Sequence, residues 1–173
     1  MPASGTQPTG KVIEENQNVH EEESSSEKEE GTKIDVKRVG QANYGFIDVP
    51  SDWVNFKDVD VTVDIIQYSD LSGVSIVTLN AWQDSNNNAK DAASATWNSM
   101  EQEGAKDVTG ATVQIGEYTA YQVYGFYPNQ SKVLVTWFFE AEDGYIHYVA
   151  AEALNDDIYE IANLIEKSFS LEE

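Results

Sequence analysis

"KVLVTWFFEA", residues 132–141, is apolar on both sides if it is extended. With period-two alternation, Val133, Val135, Trp137 and Phe139 share one face, and Leu134 and Phe138 the other. A strand with one wet face would alternate apolar with polar residues. This one belongs in the middle of a sheet that is covered, at least partly, on both sides.

Strand patterns surround it. "DVTGATVQI" (107–115) and "YTAYQVYGFYP" (118–128) precede it, and "GYIHYVAAEA" (144–153) follows through "EDG", where Gly144 is free to take positive φ. Upstream, "TVDIIQYSD" (62–70) and "VSIVTLNAW" (74–82) read as a hairpin closed by "DLSG", with Asp70 and Gly73 at the outer positions of a type I turn. "IDVKRVG" (34–40) and "YGFIDVP" (44–50) read as two shorter strands.

Two stretches carry the helical period instead. "NNNAKDAASATWNSMEQEG" (86–104) has Asn88 as N-cap, Asp91 in the first turn and Gly104 after the end, with Ala93, Trp97 and Met100 on one face. The second helix is expected to start near Asn155, with Asp156 and Asp157 at its positive end. It carries Ile158, Ile161, Ile165 and Phe169 as one stripe. The expected fold class is α+β: a mostly antiparallel twisted sheet flanked by two helices.

Residues 1–33 have a different composition. They contain eight Glu, three Lys and no aromatic residue, whereas all 19 Phe, Trp and Tyr lie between Tyr44 and Phe169. So little apolar surface cannot offset the entropy of ordering, and residues 1–33 are expected to be a disordered acidic tether, Ser- and Glu-rich, ahead of a single domain at 34–173. As a flexible coil the tether would span about 30 Å. The start "MPASGTQPTG" has neither a basic n-region nor an apolar h-region, so no signal peptide is expected in it. No apolar run approaches the roughly 20 residues that cross a bilayer.

Charge narrows the partners. Ten Lys and Arg stand against 31 Asp and Glu, a formal net charge of -21. Phosphate backbones repel such a surface, and the seven basic residues after Lys33 form no patch, so no nucleic acid is expected. The absence of cysteine excludes disulfides, thiolate catalysis and zinc–thiolate sites.

"YGFIDVPSDW" (44–53), a strand breaking at Pro50 before a buried Trp53, and "LIEKSFSL" (164–171), a helix ending in Ser-Phe, together resemble marks of the PsbP-like family. "YTAYQVYGFY", "LVTWFF" and "IHYVAAEA" look like that family's central antiparallel strands. The family takes in the photosystem II extrinsic protein, a Ran-binding factor and many small bacterial lipoproteins. The resemblance covers residues 36–171 in outline. It implies an α-β-α sandwich and a non-catalytic binding or accessory role, and it transfers no functional residue. The acidic Ser-rich leader is similar to the tether after the lipidated cysteine of Gram-positive lipoproteins. That resemblance implies an extracytoplasmic protein, anchored to a membrane only through an N-terminal lipid missing from this chain or else secreted, whose partner is another envelope or secreted protein. Oligomeric state stays open.

Catalytic constellations are scarce. His20 lies in the leader, and His147 sits mid-strand beside Tyr145 and Val149, where a packed strand residue is the expected role. No G-x-S-x-G, H-E-x-x-H or P-loop pattern occurs, and pairs such as Glu140 and Glu142 arise by chance among so many acids. No enzyme activity, catalytic residue, cofactor or metal site is therefore expected. In "DSNNNAKD" (84–91), Asp84, Asn86 and Asn88 have the 1, 3, 5 spacing of a calcium loop. Ala89 replaces its glycine, Ala95 its bidentate Glu, and Asn88 is already a helix cap. "NQS" (129–131) fits a glycosylation sequon. The alternative function is a small-molecule or carbohydrate-binding module using strand aromatics. Tyr118, Tyr124 and Phe126 share one face of their strand, and Tyr121 and Tyr127 the other.

Overall fold

The structure, a computed structural model, describes residues 34–57 and 62–173. The tether expected at 1–33, with His20, lies outside the described residues. In chain order the elements are β1 (Val36–Gln41), β2 (Gly45–Pro50), β3 (Val54–Phe56), β4 (Ile66–Ser69), β5 (Ile76–Trp82), α1 (Ala89–Gln102), β6 (Lys106–Ile115), β7 (Tyr118–Tyr127), β8 (Lys132–Glu140), β9 (Ile146–Leu154) and α2 (Ile158–Ser168). Strands β3 to β9 form one antiparallel sheet in the order β3-β4-β5-β9-β8-β7-β6. The fold class is α+β, as the patterning indicates.

Strand β8 lies between β7 and β9 and is covered on both faces. Its Val133, Val135, Trp137 and Phe139 join a core with Ile158 and Ile165 of α2 and Ile47 and Val49 of β2. Leu134 and Phe138 pack in a second cluster with Ala93 and Met100 of α1. The two helices therefore lie on opposite faces of the sheet. The expected hairpin turns are present: Gly73 N–H donates to Asp70 O at 3.1 Å and Gly144 N–H to Ala141 O at 3.1 Å. Both glycines have positive φ.

"YGFIDVP" departs from expectation. Its alternation is as read, with Ile47 and Val49 buried and Asp48 half exposed. However, β2 does not join the one sheet that was expected. It pairs with β1 in a separate two-stranded sheet, Val39 opposite Ile47, on the α2 side of the molecule. The reason is that Gln41 to Tyr44 form a tight turn, with Tyr44 N–H donating to Gln41 O at 3.0 Å, so the two strands satisfy each other. Pro50 ends β2, Ser51 N–H donates to Asp35 O at 2.9 Å, and Trp53 turns back into the core.

The two stretches that carry the family resemblance pack against each other. Phe46 and Ser170 exchange backbone hydrogen bonds of 2.8 and 3.0 Å, and Ser168 Oγ accepts from Asp48 N–H at 2.9 Å. Gly45, at φ +93, lies on the Phe169 ring so closely that an added Cβ would sit 2.5 Å from it. Glycine is required there twice, for its backbone conformation and for the approach of the ring.

Helix α1 starts where the sequence indicates. Asn88 Oδ1 accepts from Asp91 N–H at 3.0 Å, and Asn88 N–H donates to Asp91 Oδ2 at 3.4 Å, a reciprocal capping box. Asn88→Ala is expected to cost about 1 kcal/mol, and Asn88→Ser to restore most of it, measured by thermal unfolding. Helix α2 begins at Ile158, three residues after the expected start near Asn155, with Asp156 and Asp157 just ahead of it. Strand β9 runs on to Leu154 because Leu154 still pairs with Lys132, and Asp157 N–H then closes a turn on Leu154 O at 3.0 Å. Asp157 is the N-cap but makes no side-chain cap bond.

Candidate functional site

His147 is fully buried. Its ring stacks on Phe139 with centroids 5.2 Å apart, and its Nε2 lies 2.9 Å from Asp143 Oδ2. This is the packed strand residue that the sequence suggests. The carboxylates Glu140, Glu142 and Asp143, with Glu117 and Glu172, instead line an acidic cleft of about 790 Å³ at that end of the sheet. Its floor includes Tyr118, whose hydroxyl is pushed up by burial and by Glu117.

The 84–91 loop is organised around its own backbone. Asp84 Oδ1 accepts from the N–H groups of Asn86 and Asn87 at 2.8 and 3.2 Å, and its Oδ2 accepts from Asn87 Nδ2 at 2.7 Å. These bonds, the Asn87 side chain's first, hold the Asp84 carboxyl below its ordinary range. Asn88 caps α1 and Ala89 is buried under it, so the spacing that imitates a calcium loop is an Asx turn running into a cap. Among the described residues no three carboxylate or histidine groups are placed to share a metal ion.

The β7 aromatics divide unevenly. Tyr118, Tyr124 and Phe126 pack against the main core. Tyr127 is half buried, and its hydroxyl donates to Glu103 Oε2 at 3.1 Å. Burial, then Glu103, pushes that hydroxyl up to about 12, so it remains a donor. Tyr121 alone of the five is exposed. The strand therefore makes no aromatic platform by itself.

Tyr121 does lie in a groove of about 400 Å³ between α1 and strands β6 and β7, lined also by Trp97, Lys90, Ser94, Gly110 and Gln122. Trp97 belongs to the apolar face of α1, yet it is only partly buried because it sits over the outermost strand. A Cβ on Gly110 would come within 2.9 Å of the Trp97 ring, so the indole rests directly on bare backbone. The sequence contained a signal for this contact, since a glycine inside a strand pattern marks close approach of another group. What was not readable was the partner, 13 residues upstream on a helix.

A further cleft of about 380 Å³ lies on the same face of the sheet beyond α1, lined by Gln67, Thr78, Tyr148 and Glu152. Gln67 Nε2 donates to Thr78 Oγ1 at 3.2 Å, and burial, then Glu152, pushes the Tyr148 hydroxyl up to about 12. Each of these three places is lined by two aromatic residues, Tyr118 and Phe169, Trp97 and Tyr121, and Phe56 and Tyr148, but the α1 groove alone includes an exposed one, Tyr121. That groove is the candidate binding site.

No protein-family model matches the chain, and no curated protein matches it. Solved structures do. The solution structure of cyanobacterial PsbP (CyanoP) from Synechocystis sp. PCC 6803 superposes with a TM-score of 0.58 at 9% identity, over 78% of this chain and 91% of that one. The Ran-binding protein Mog1p of Saccharomyces cerevisiae reaches 0.47 at 11% identity, over 78% and 85%. LpqN, involved in cell envelope biogenesis of Mycobacterium tuberculosis, reaches 0.44 at 16%, over 80% and 91%. The first superposition carries the conclusion: this chain has the PsbP-like fold, as its strand order and its two packed sequence marks already suggested.

Proposed function

We propose that the protein is a non-enzymatic binding or accessory domain that works outside the cytoplasm, surface-anchored or secreted, and engages another envelope or secreted protein. The observation that carries this reading is the α1 groove. Among its lining residues only Lys90 and Tyr121 titrate, and neither has a carboxylate or imidazole from that lining beside it to act as a base. An open aromatic groove with few titratable groups is suited to holding a ligand rather than transforming it. The acidic, Ser-rich composition of residues 1–33 supports a tether to a lipid anchor.

The full chain and its Trp97→Ala variant, each used as bait on cell-envelope extracts, test the reading. A partner retained by the parent and reduced about tenfold by Trp97→Ala is expected. Hydrolase activity in the purified protein, with no Trp97-dependent partner, would count against it. A second reading, carbohydrate binding, is favoured by Trp97 and Tyr121 lining one groove with the hydroxyl-bearing Ser94 and Thr112. Oligosaccharides that shift the fluorescence of the parent but not of Trp97→Phe would select it.

A further inference from the structure

We infer that the outer edge of β6 is a docking strand. An extended segment of a partner protein adds to the sheet there, with a bulky apolar side chain seated in the Trp97 groove and basic residues on either side. This deepens the binding reading above and rests on it.

The main sheet has two unlike edges. At one side β3 is three residues long; at the other β6 is ten. Ile115 and Tyr118 face each other across the two-residue turn Gly116–Glu117. Such a turn makes them a hydrogen-bonded pair, so alternation turns the N–H and C=O of Gly110, Thr112 and Gln114 away from β7. Among the described residues no hydrogen bond outside the β6–β7 ladder uses these groups. Natural sheets blunt a long edge with charge, proline or a bulge. Here the irregularity and the charges of Lys106 and Asp107 are confined to the start of the strand. "VTGATVQI" (108–115) has no charge and no proline, in a chain of which 24% is charged.

A row of alternating donors and acceptors is matched by another extended backbone. The groove adjoins this row. Val108 packs with the α1 cluster and Gly110 lies under Trp97, so alternate residues of β6 face α1. A side chain of the added strand on that face would lie beside Trp97 and Tyr121. A second copy of this chain fits poorly. Its own β6 would offer Gly110, Thr112 and Gln114 on that face, too little to fill about 400 Å³. Residues 34–173 also hold 23 Asp and Glu against seven Lys and Arg, so two copies repel. The exposed Asp107 and Glu117 at the two ends of β6 favour basic flanks on the incoming segment.

Random peptides selected by display against the full chain provide the test. Selected peptides are expected to carry an aromatic residue between Lys or Arg, and to slow amide hydrogen exchange at Gly110, Thr112 and Gln114 by about tenfold or more. Thr112→Pro removes an outward N–H without breaking a ladder bond and is expected to weaken binding at least about tenfold. The exchange measurement needs no variant, so it decides even if Thr112→Pro fails to fold. Peptides that bind Thr112→Pro as well as the parent, or protect amides elsewhere, overturn the inference. A dimer seen by sedimentation and lost in Thr112→Pro would overturn it too, giving the edge to a second copy. Trp97-dependent capture that Thr112→Pro leaves unchanged would preserve the binding reading and remove only the edge. If neither peptides nor an envelope partner bind, both fall.

Discussion

Trp137→Ala is expected to destabilise the domain by about 3–5 kcal/mol, the range for deleting a buried Trp from a core. Trp137 is fully buried in β8, against α2 and the β1–β2 hairpin. Its loss also removes a specific bond: Trp137 Nε1–H donates to Glu166 Oε1 at 3.0 Å, on the same oxygen that accepts from Gln122 Nε2 at 2.8 Å. Glu166 O in turn accepts from Gly116 N–H at 2.7 Å, so one turn of α2 is tied to β7, β8 and the β6–β7 turn. Denaturant unfolding measures the total. Trp137→Phe keeps most of the volume and separates the hydrogen bond, for which about 1.5–3 kcal/mol is expected when the acceptor is charged. A loss below about 1 kcal/mol for Trp137→Ala would mean that the α2 face of the sheet does not pack as described.

Trp53→Ala is expected to cost about 3–4 kcal/mol, toward the lower part of the same range. Trp53 is 4% exposed and belongs to the core beneath the hairpin. Its backbone N–H donates to Pro50 O at 3.1 Å, and its carbonyl accepts from Lys37 Nζ, so the turn after β2 holds it in place from both sides. The same unfolding curve measures it. A near-neutral result would mean that the ring does not cover the core as described.

The local physics of much of this fold was legible in the residues. Apolar residues on both sides of "KVLVTWFFEA" require cover on both faces, and α1 and α2 provide it. Asn88 and Gly104 mark the ends of α1 because orphan N–H groups need a side-chain acceptor and the chain leaves the helix with positive φ. Three features were not legible. Strand β3, only Val54–Phe56, is too short to show a period and exists because β4 offers it a ladder. The pairing of β2 with β1 alone was hidden because alternation identifies a buried face but not the neighbour that covers it. The late start of α2 follows from the length of β8, which keeps β9 extended to Leu154.

The site separates the two kinds of information more sharply. Spacing pointed to Asp84, Asn86 and Asn88, yet these oxygens serve the turn and the cap. It singled out the β7 aromatics as a group, and most of them are core. Trp97 entered only as part of an apolar stripe, and no local pattern says that its stripe reaches past the last strand. By itself the sequence determined composition, charge, element type and which faces had to be apolar, because those depend on near neighbours and on period. Tertiary structure decided that β6 is the open edge, that Gly110 lies bare beneath Trp97, and that "YGFIDVPSDW" docks on "LIEKSFSL". Those contacts join residues from 13 to more than 100 positions apart, and only the closed fold fixes which of them meet.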